Sequence, residues 1–350
     1  MKAVVYVRPG EVVVQEVERP RVGPRDILIK VRAVGLCGSD LHTYRTGRYA
    51  FPSQIMGHEF CGEVAAVGPE VAGIATGQRA TGFSAAYCGA CYWCRRQQFR
   101  LCPHLFETYT GYGRPGAMAD YVKIDEAELD RNVFLIPSEL SDEQAAMAEP
   151  LGTALYALAR TKPDCADSAV VIGAGPIGNL LVQALKSIPV KQVTVTEMSV
   201  ERAALAKALG ADYALHLREP GHALPSVQAV TGIGAYHFGS GAMADLVYDT
   251  AGAPGTFGDA LEFVRAGGTV ALVGLPERPS QVDVSRIIFK DVRVLGVLGS
   301  IIPQGLDYLR RGLVKTAPLV THRFPLHEAA EAFRTMATDP AAMKVMLLPG

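Results

Sequence analysis

The sequence predicts an α/β protein with two domains, a β-rich barrel-like domain and a doubly wound parallel sheet. Three observations support this. The chain has 350 residues, which is enough for two domains of ordinary size. Its first 150 residues contain short β-like runs separated by Gly and Pro, a pattern typical of a barrel. From residue 169 onward, apolar strand-like runs alternate with helical segments, which indicates a parallel sheet.

The composition disfavours several classes of function. Apolar residues make up 49% of the chain, and 34 basic residues balance 35 acidic ones to a net charge of −1. With no basic block and no acidic tail, we expect neither a nucleic-acid partner nor a charged membrane surface. The N-terminus lacks the apolar core of a signal peptide, and no run of about 18 apolar residues occurs. We therefore expect a cytoplasmic protein that does not associate with membranes.

The individual elements follow from local patterns. In the first 150 residues, predicted strands include ILIKVRAVG (27–35), EVAAVG (63–68) and MADYVKI (118–124). A capping box formed by Ser141 and Gln144 starts a helix predicted over 141–160. The strands AVVIG (169–173) and VTVTE (193–197) each precede a helical segment. The last stretch, roughly 298–350, contains two helical patches and a closing strand, KVMLL.

A glycine-rich turn, Gly173-x-Gly175-x-x-Gly178, lies between a strand pattern and a helix pattern. Gly173 allows the tight turn, and Gly175 lets backbone amides approach a pyrophosphate. Gly178 lets the helix, whose N-terminus faces the phosphates, pack close to the sheet. Pro176 and Ile177 inside the turn belong to the same predicted site. The turn therefore predicts a dinucleotide cofactor.

The choice between NAD and NADP depends on the end of the next strand. Glu197 lies nineteen residues past Gly178, where a carboxylate can bind both ribose hydroxyls of NAD and repel the 2′-phosphate of NADP. We therefore expect NAD. NADP is the less favoured alternative, because Arg202 is close enough in sequence to bind the phosphate.

Four of the seven cysteines are clustered with the spacing C-x2-C-x2-C-x7-C. In a reduced chain of this length, such clustering points to metal rather than to disulfides. Four thiolates on one compact loop can close a tetrahedral zinc site, and an iron–sulfur cluster is the alternative. Cys61 and Cys165 lack such neighbours and are predicted to be packed or incidental thiols. The predicted ligands are Cys88, Cys91, Cys94 and Cys102.

Two further motifs combine metal-ligating and titratable groups. CGSDLH (37–42) offers the soft ligand Cys37, the hydroxyl of Ser39 and the imidazole of His42. GHEFCGE (57–63) offers His58 and Glu59, and it is not a zinc-protease helix, since glycine occupies the fifth place of the H-E-x-x-H pattern. These ligands must therefore find their partners elsewhere in the chain.

Taken with Glu149-Pro150-Leu151 and GAGPIG in the expected order, these motifs resemble the zinc-dependent medium-chain alcohol dehydrogenase family over the whole chain. The resemblance implies a GroES-like β-barrel catalytic domain over 1–152 and 298–350 and a Rossmann domain over 153–297. It also implies two zinc ions per chain. The catalytic zinc would be bound by Cys37, His58 and Glu149, with Glu59 as a fourth or exchangeable ligand.

The resemblance further implies reversible oxidation of a secondary alcohol to a ketone. Ser39 would take the hydroxyl proton and pass it through the ribose and His42 to solvent, while Asp40 would orient His58. Zinc would lower the pKa of the substrate hydroxyl. A homodimer or homotetramer is expected.

A glutamate at 149 resembles the polyol, butanediol and threonine dehydrogenase branch, which favours a polyol, sugar or cyclitol substrate. An L-threonine-like amino alcohol is the alternative. A zinc-free quinone reductase and a non-enzymatic NAD-binding protein are disfavoured, since neither needs these zinc ligands beside Ser39 and His42. Candidate pocket residues are Tyr44, Phe51, Phe106 and Thr108.

Two positions depart from the family pattern. Gln97 replaces the usual glycine after the third loop cysteine, so that turn is expected to be made differently. Residues 235–240 fall in a stretch that looks longer than usual, and they are expected to form an added surface loop or an interface element.

Overall fold

The computed structural model describes residues 1–51, 53–217 and 223–350. Two compact units are present. The first unit comprises Met1–Glu149, Ile302–Arg311 and Thr316–Gly350, and the second comprises Pro150–Ile301 and Gly312–Lys315. The division of the chain into a catalytic domain over 1–152 and 298–350 and a cofactor domain over 153–297 stays a prediction.

The regular elements are numbered in chain order. Up to residue 161 they are β1 (Lys2–Arg8), β2 (Glu11–Glu16), β3 (Ile27–Gly35), α1 (Gly38–Thr46), β4 (Glu59–Val67), β5 (Arg79–Gly82), β6 (Tyr121–Ile124), β7 (Val133–Leu135), α2 (Asp142–Ala146) and α3 (Ala148–Thr161). The next are β8 (Ser168–Ile172), α4 (Pro176–Lys186), β9 (Gln192–Glu197), α5 (Val200–Ala208), β10 (Tyr213–His216), α6 (Leu224–Thr231), β11 (Ile233–Tyr236), β12 (Gly239–Ala242), β13 (Ala244–Asp249), α7 (Thr256–Phe263), β14 (Val264–Leu272), α8 (Ser285–Lys290) and β15 (Arg293–Gly296). The last are α9 (Ile302–Arg310), β16 (Val320–Pro325), α10 (Ala329–Thr338) and β17 (Lys344–Leu348).

The first unit is built on a seven-stranded sheet with the order β16-β17-β3-β4-β5-β7, in which β6 also pairs with β3. Strand β3 is its centre, because it pairs antiparallel with β4, β6 and β17. Ile27, Ile29 and Val31 of β3 are fully buried at alternating positions, so one face of the strand fills the hydrophobic core. The last strand, β17, therefore lies directly beside this central strand.

The second unit contains a six-stranded sheet with the order β10-β9-β8-β13-β14-β15. Every neighbouring pair in it is parallel, and helices connect successive strands. Strand β8 is buried along its whole length, as expected for a strand covered on both faces. The α/β class predicted from the sequence is confirmed. In the described ranges, no helix has the length and apolar character needed to cross a membrane.

Three local expectations have different outcomes. The Ser141/Gln144 capping box is present, but the helix predicted over 141–160 is interrupted at Met147 and forms two helices, α2 and α3. The insertion at 235–240 forms a hairpin of β11 and β12, with Phe238 at its turn 91% exposed. Gln97 adopts a left-handed conformation with φ 58° and ψ 23°, the region that glycine enters most easily. A different backbone path is therefore not needed at Gln97.

Candidate metal centres and cofactor site

Two groups of side chains could hold a metal ion in the described part of the chain. One contains Cys37, His58 and Glu59, and the other contains the four cysteines between positions 88 and 102. Within each group, the ligand atoms all lie within 4.8 Å of one another. Both groups belong to the first unit.

We call Cys37, His58 and Glu59 the mixed group, because they offer three different ligand types. The pairing of β3 with β4 brings these residues together. Gly35 at the end of β3 pairs with Glu59 at the start of β4, so two motifs about 20 residues apart meet at one end of this strand pair. Cys37 follows as the N-cap of α1, and its backbone N–H donates to Asp40 Oδ2 at 2.9 Å. Gly57, with φ 96°, holds the turn before His58, where a Cβ atom would lie 2.7 Å from a methionine side chain. The local fold therefore fixes all three ligands.

A buried lysine that the sequence analysis missed pairs with one of these ligands. Lys344 Nζ lies 2.5 Å from Glu59 Oε2, and the two side chains are 3% and 2% exposed. The lysine also donates to the carbonyl oxygen of Leu36 at 3.0 Å. Burial acts to lower the pKa of Lys344, but the negative charges of Glu59 and Cys37 outweigh it and the pKa is raised. A lysine in the apolar strand KVMLL was the signal that could have revealed it.

Glu149 interacts electrostatically with His58 and Glu59, but it is not one of the three residues of the mixed group. It is half-buried near the start of α3. Burial raises its pKa to about 7, although the positive charge of His58 acts in the opposite direction. Its role as a zinc ligand stays a prediction.

Asp40 contacts His58 without a hydrogen bond. Its Oδ1 lies 4.0 Å from His58 Nδ1, and this nitrogen is buried with no hydrogen-bond partner among the described residues. Burial opposes a positive charge on His58, but contact with Cys37 and the charge of Asp40 raise its pKa. A thiol, an imidazole and a carboxylate are the donors that zinc accepts, so this group fits a zinc ion. The orienting role of Asp40 stays a prediction.

A row of polar groups lies beside this cluster on α1. Ser39 and His42 are three residues apart, so they share one side of the helix. Tyr112, another residue that the sequence analysis missed, donates its hydroxyl proton to Ser39 Oγ at 3.0 Å. His42 stacks on Tyr49 with ring centroids 5.5 Å apart, and its buried Nε2 has no hydrogen-bond partner in the described ranges. The buried Nε2 of His42 could therefore form a hydrogen bond with a polar ligand.

The predicted pocket residues are distributed differently. Tyr44 is 9% exposed in the hydrophobic core and packs on Phe333 with ring centroids 5.1 Å apart, so its prediction as a pocket residue was wrong. Phe106 contacts the ring of Tyr112 edge-on at 5.0 Å. Thr108 donates its hydroxyl proton to the Ala86 carbonyl at 3.0 Å. Phe106 thus has a ring contact to Tyr112 beside the mixed group.

In the cysteine loop, residues 88–102, backbone N–H groups donate to the sulfur atoms of the predicted ligands. Amide N–H groups point at its sulfur atoms, with Cys91 N 3.3 Å from Cys88 Sγ and Cys94 N 3.4 Å from Cys91 Sγ. Hydrogen bonds from the amides of Ala90 and Cys91 lower the pKa of Cys88 to about 6, which favours the thiolate that binds metal. Burial raises the pKa of Cys94 to about 12 in the absence of a cation. Four converging sulfur ligands fit tetrahedral zinc.

The glycine-rich turn has the backbone that its motif predicts. Gly173 lies just after β8 with φ 92°, and a Cβ atom at Gly178 would lie 2.0 Å from the Gly173 carbonyl oxygen. Gly175 is the N-cap of α4, with open space where a side chain would be, and Pro176 occupies the first turn. Ile177 follows in the same turn of the helix. A helix N-terminus with an open approach fits a phosphate group.

Glu197 ends β9 and faces the same turn. Its Oε2 accepts a hydrogen bond from Ala174 N at 2.7 Å, and its Oε1 accepts from Met198 N at 2.7 Å and Ser199 N at 2.9 Å. The carboxylate is therefore held in place beside the glycine-rich turn. Arg202 lies in the first turn of α5, where its backbone N–H donates to Ser199 Oγ at 3.2 Å.

Comparison with known proteins gives two matches to protein families. Residues 23–137 match the family described as alcohol dehydrogenase GroES-like domain, and residues 176–307 match the family described as zinc-binding dehydrogenase. The first match covers the mixed group and the cysteine loop. The second match begins within the glycine-rich turn.

Individual relatives cover the whole chain. A sorbitol dehydrogenase of Bacillus subtilis is 33% identical, with 100% of this chain and 97% of that protein aligned. An L-threonine 3-dehydrogenase of Pectobacterium atrosepticum is 30% identical, with 99% of this chain and 94% of that protein aligned. A solved structure from Sinorhizobium meliloti, classed with the zinc-binding dehydrogenases and bound to NADP, aligns over 99% of both chains with 28% identity and a TM-score of 0.87.

Proposed function

The chain belongs to the zinc-dependent medium-chain alcohol dehydrogenase family, and on that premise we propose that it oxidises a polyhydroxylated secondary alcohol with NAD. The substrate would be a polyol, a sugar or a cyclitol, and the product the corresponding ketone. Enzymes of this class act on a CH–OH group with zinc and a nicotinamide cofactor. The substrate class and the preference for NAD are our proposals for this chain.

The observation that carries the proposal is the mixed ligand group beside two polar side chains of α1. Cys37, His58 and Glu59 offer ligand atoms within 4.8 Å of one another, and the His42 Nε2 atom is buried without a partner in the described residues. When bound, zinc would polarise the substrate hydroxyl and the nicotinamide would accept the hydride. Ser39 would accept the hydroxyl proton, and His42 would deliver it toward solvent. Glu149 is proposed as a further zinc ligand, and Asp40 as the group that keeps His58 oriented.

Cofactor preference is proposed from Glu197. Its carboxylate is fixed by backbone amides at the end of β9. Oε1 already accepts two hydrogen bonds, and Oε2, which accepts one, keeps acceptor capacity for a ribose hydroxyl. A negative charge in this place repels a 2′-phosphate, which supports NAD. Arg202 is the residue that would bind the phosphate if NADP were preferred.

Two features bear on the substrate. The 33% identical relative is a sorbitol dehydrogenase, and a polyol suits a site with several carboxylates near the zinc ligands. The charge of Glu59 is compensated by Lys344, and Asp40 and Glu149 are the other carboxylates near the zinc ligands. An L-threonine-like amino alcohol is the second candidate, because a relative of that specificity is 30% identical and an ammonium group would also be attracted to these carboxylates.

The test is a substrate comparison with the purified, zinc-loaded protein. Values of kcat/KM would be measured for sorbitol, myo-inositol, 2,3-butanediol, L-threonine and 2-propanol, each with NAD and with NADP. We expect the highest value with a polyol or cyclitol and NAD. A tenfold preference for 2-propanol would refute the polar substrate, and a preference for L-threonine would establish the second candidate.

We also propose a homodimer or homotetramer located in the cytoplasm. Strand β15 ends the six-stranded sheet as described here, and an edge strand can pair with a second copy. The seven cysteines are all free, which suits a reducing compartment. Light scattering of the purified protein would give the number of subunits, and a monomeric mass would refute the oligomer.

A further inference from the structure

Tyr112 contacts the proposed proton-transfer group directly. Its hydroxyl donates to Ser39 Oγ at 3.0 Å, although the two residues are 73 positions apart in the chain. The ring is held from two sides, since it lies 5.6 Å from the His58 ring and meets Phe106 edge-on at 5.0 Å. Because packing fixes the ring, it also fixes the direction from which the hydroxyl approaches Ser39.

The hydrogen-bonding capacity of a serine hydroxyl makes this contact consequential. Such a hydroxyl donates one proton and accepts two hydrogen bonds. The Tyr112 proton occupies one acceptor position on Ser39 Oγ, which leaves one acceptor position and one proton. Proton transfer needs both of these, since Ser39 accepts the substrate's proton as it gives up its own. Protons balance across this step, and Ser39 ends as the neutral hydroxyl it was before.

We propose that Tyr112 is a positioning residue that holds Ser39 in the orientation needed to accept the substrate's proton; this rests on the proposed dehydrogenase function. Without the phenol, the serine side chain can turn among its three staggered rotamers, and its proton can point back to nearby backbone carbonyls. When the phenol donates to Oγ, the side chain of Ser39 is held in one orientation, and its own proton points away from the phenol. His42 lies one helical turn along the same side of α1, and its Nε2 is a buried nitrogen that lacks a partner in the described ranges.

The first test is Tyr112→Phe, which removes the hydroxyl and keeps the ring against His58 and Phe106. We expect kcat for the best alcohol to fall about three- to twelve-fold, the effect of one net hydrogen bond, with KM changed less than about twofold. The solvent deuterium isotope effect on kcat should rise, because proton transfer becomes more rate-limiting. Zinc content and melting temperature should match the wild type. An unchanged kcat and an unchanged isotope effect would overturn the proposal.

The matched control is Tyr44→Phe, which deletes a hydroxyl from the helix that carries Ser39. Tyr44 is buried against Phe333 in the core, so its loss tests whether any phenol removed near α1 slows turnover. We expect kcat and the isotope effect of this variant to stay at wild-type values. If the control slows turnover as much as Tyr112→Phe, a general change in helix packing explains both and the positioning role is refuted.

A double-mutant cycle with Ser39→Ala decides whether Tyr112 acts through Ser39. If it does, Tyr112→Phe should have no further effect on kcat in the Ser39→Ala background. The same fold-loss in both backgrounds would mean that the two side chains act independently, which overturns the proposal.

A crystal structure of the zinc-loaded wild type separates failure of this inference from failure of the proposed function. Absence of turnover with every alcohol in the panel refutes the function. A distance above 3.5 Å between Tyr112 Oη and Ser39 Oγ in that structure refutes the positioning role, whatever the activity. Wild-type turnover combined with a silent Tyr112→Phe refutes the inference and leaves the function standing.

Discussion

The two candidate metal-binding groups of the first unit are built in opposite ways. The cysteine loop takes four ligands of one kind from a segment of 15 residues, and its first cysteine is exposed. The mixed group takes three different ligand types from two separate segments, and both His58 and Glu59 are buried. Four thiolates complete a tetrahedron, whereas three ligands leave a place for a further ligand or a substrate.

The two groups also differ in whether their polar atoms have hydrogen-bond partners. Backbone amides already satisfy sulfur atoms of the cysteine loop. Around the mixed group, His58 Nδ1 and His42 Nε2 are buried without hydrogen-bond partners among the described residues. Buried polar atoms without partners cost free energy, and ligands are what could recover it. The cysteine loop is therefore suited to holding its own segment in place, and the mixed group is suited to binding and converting a substrate.

The largest expected effect is on turnover, from removing one ligand of the mixed group. Cys37→Ala should lower kcat at least about a thousandfold, because the polarising cation would be lost. Zinc content should fall from two ions per chain to one, while NAD still binds, since its proposed ligands lie in the other unit. Metal analysis and a cofactor fluorescence titration would check this. Near-normal turnover would remove the mixed group from the mechanism.

The corresponding change in the cysteine loop should affect stability first. Structural zinc in small peptides contributes roughly 10–16 kcal/mol of apparent binding free energy, and removing one ligand should release the loop. For Cys94→Ser we therefore expect a melting temperature lower by roughly 10 °C and a zinc content of one per chain. The remaining folded protein should keep most of its kcat at low temperature. A variant that retains both zinc ions and its melting temperature would contradict a structural site here.

The buried ion pair offers a third comparison, with a surface pair as control. Lys344→Met leaves Glu59 as an uncompensated buried charge, so the free energy of unfolding should fall by about 3–5 kcal/mol. Arg323, which pairs with Glu143 at 2.6 Å, is 43% exposed, and Arg323→Met should cost less than about 1 kcal/mol. Urea unfolding of both variants would measure the difference. Equal small losses would show that Lys344 does not compensate Glu59.

The smallest effect expected is a pH dependence confined to the zinc-free protein. Burial raises the pKa of Glu149 from 4.5 to about 7, so the folded chain binds a proton that the unfolded chain releases between those values. The free energy of unfolding should therefore decrease as pH rises from about 4.5 to 7, by about 2 kcal/mol. Glu149→Gln should flatten this dependence, and Glu143→Gln, at a surface pair, should not. A wild-type protein that gains stability over this range would contradict the shift.

Sequence patterns were most informative where the ligands are close along the chain. The cysteine loop and the glycine-rich turn were predicted from spacing alone, because a short segment dictates its own geometry. The fold class followed from strand and helix periodicity. Met147 interrupts a helix that its periodicity would have continued, and the local signal for the break is Pro150, which has no N–H to donate to the carbonyl oxygen of Ala146.

Contacts between distant residues could not be predicted in this way. Tyr112 reaches Ser39 across 73 positions, and Lys344 reaches Glu59 across 285. Both depend on how strands pair and on which face of a strand points inward. Residues 235–240 were expected to form a surface loop or an interface element, and the main-chain pairing that makes them part of a hairpin was not predicted from their sequence. Tyr44 was misjudged for the same reason, since its neighbour Phe333 comes from α10.

The pairing of Glu59 with Lys344 also has a consequence for how the protein is made. A ribosome adds about 5–20 residues per second, so the 285 positions between the two take about 15–60 s to synthesise. During that interval the nascent chain has Cys37, His58 and Glu59 but neither β17 nor the lysine. Burying the charged carboxylate of Glu59 is costly without its counter-charge, so the mixed group reaches its final form only after Lys344 has been synthesised and β17 has joined the sheet. The mixed group is therefore completed by a strand that is made long after its three ligands.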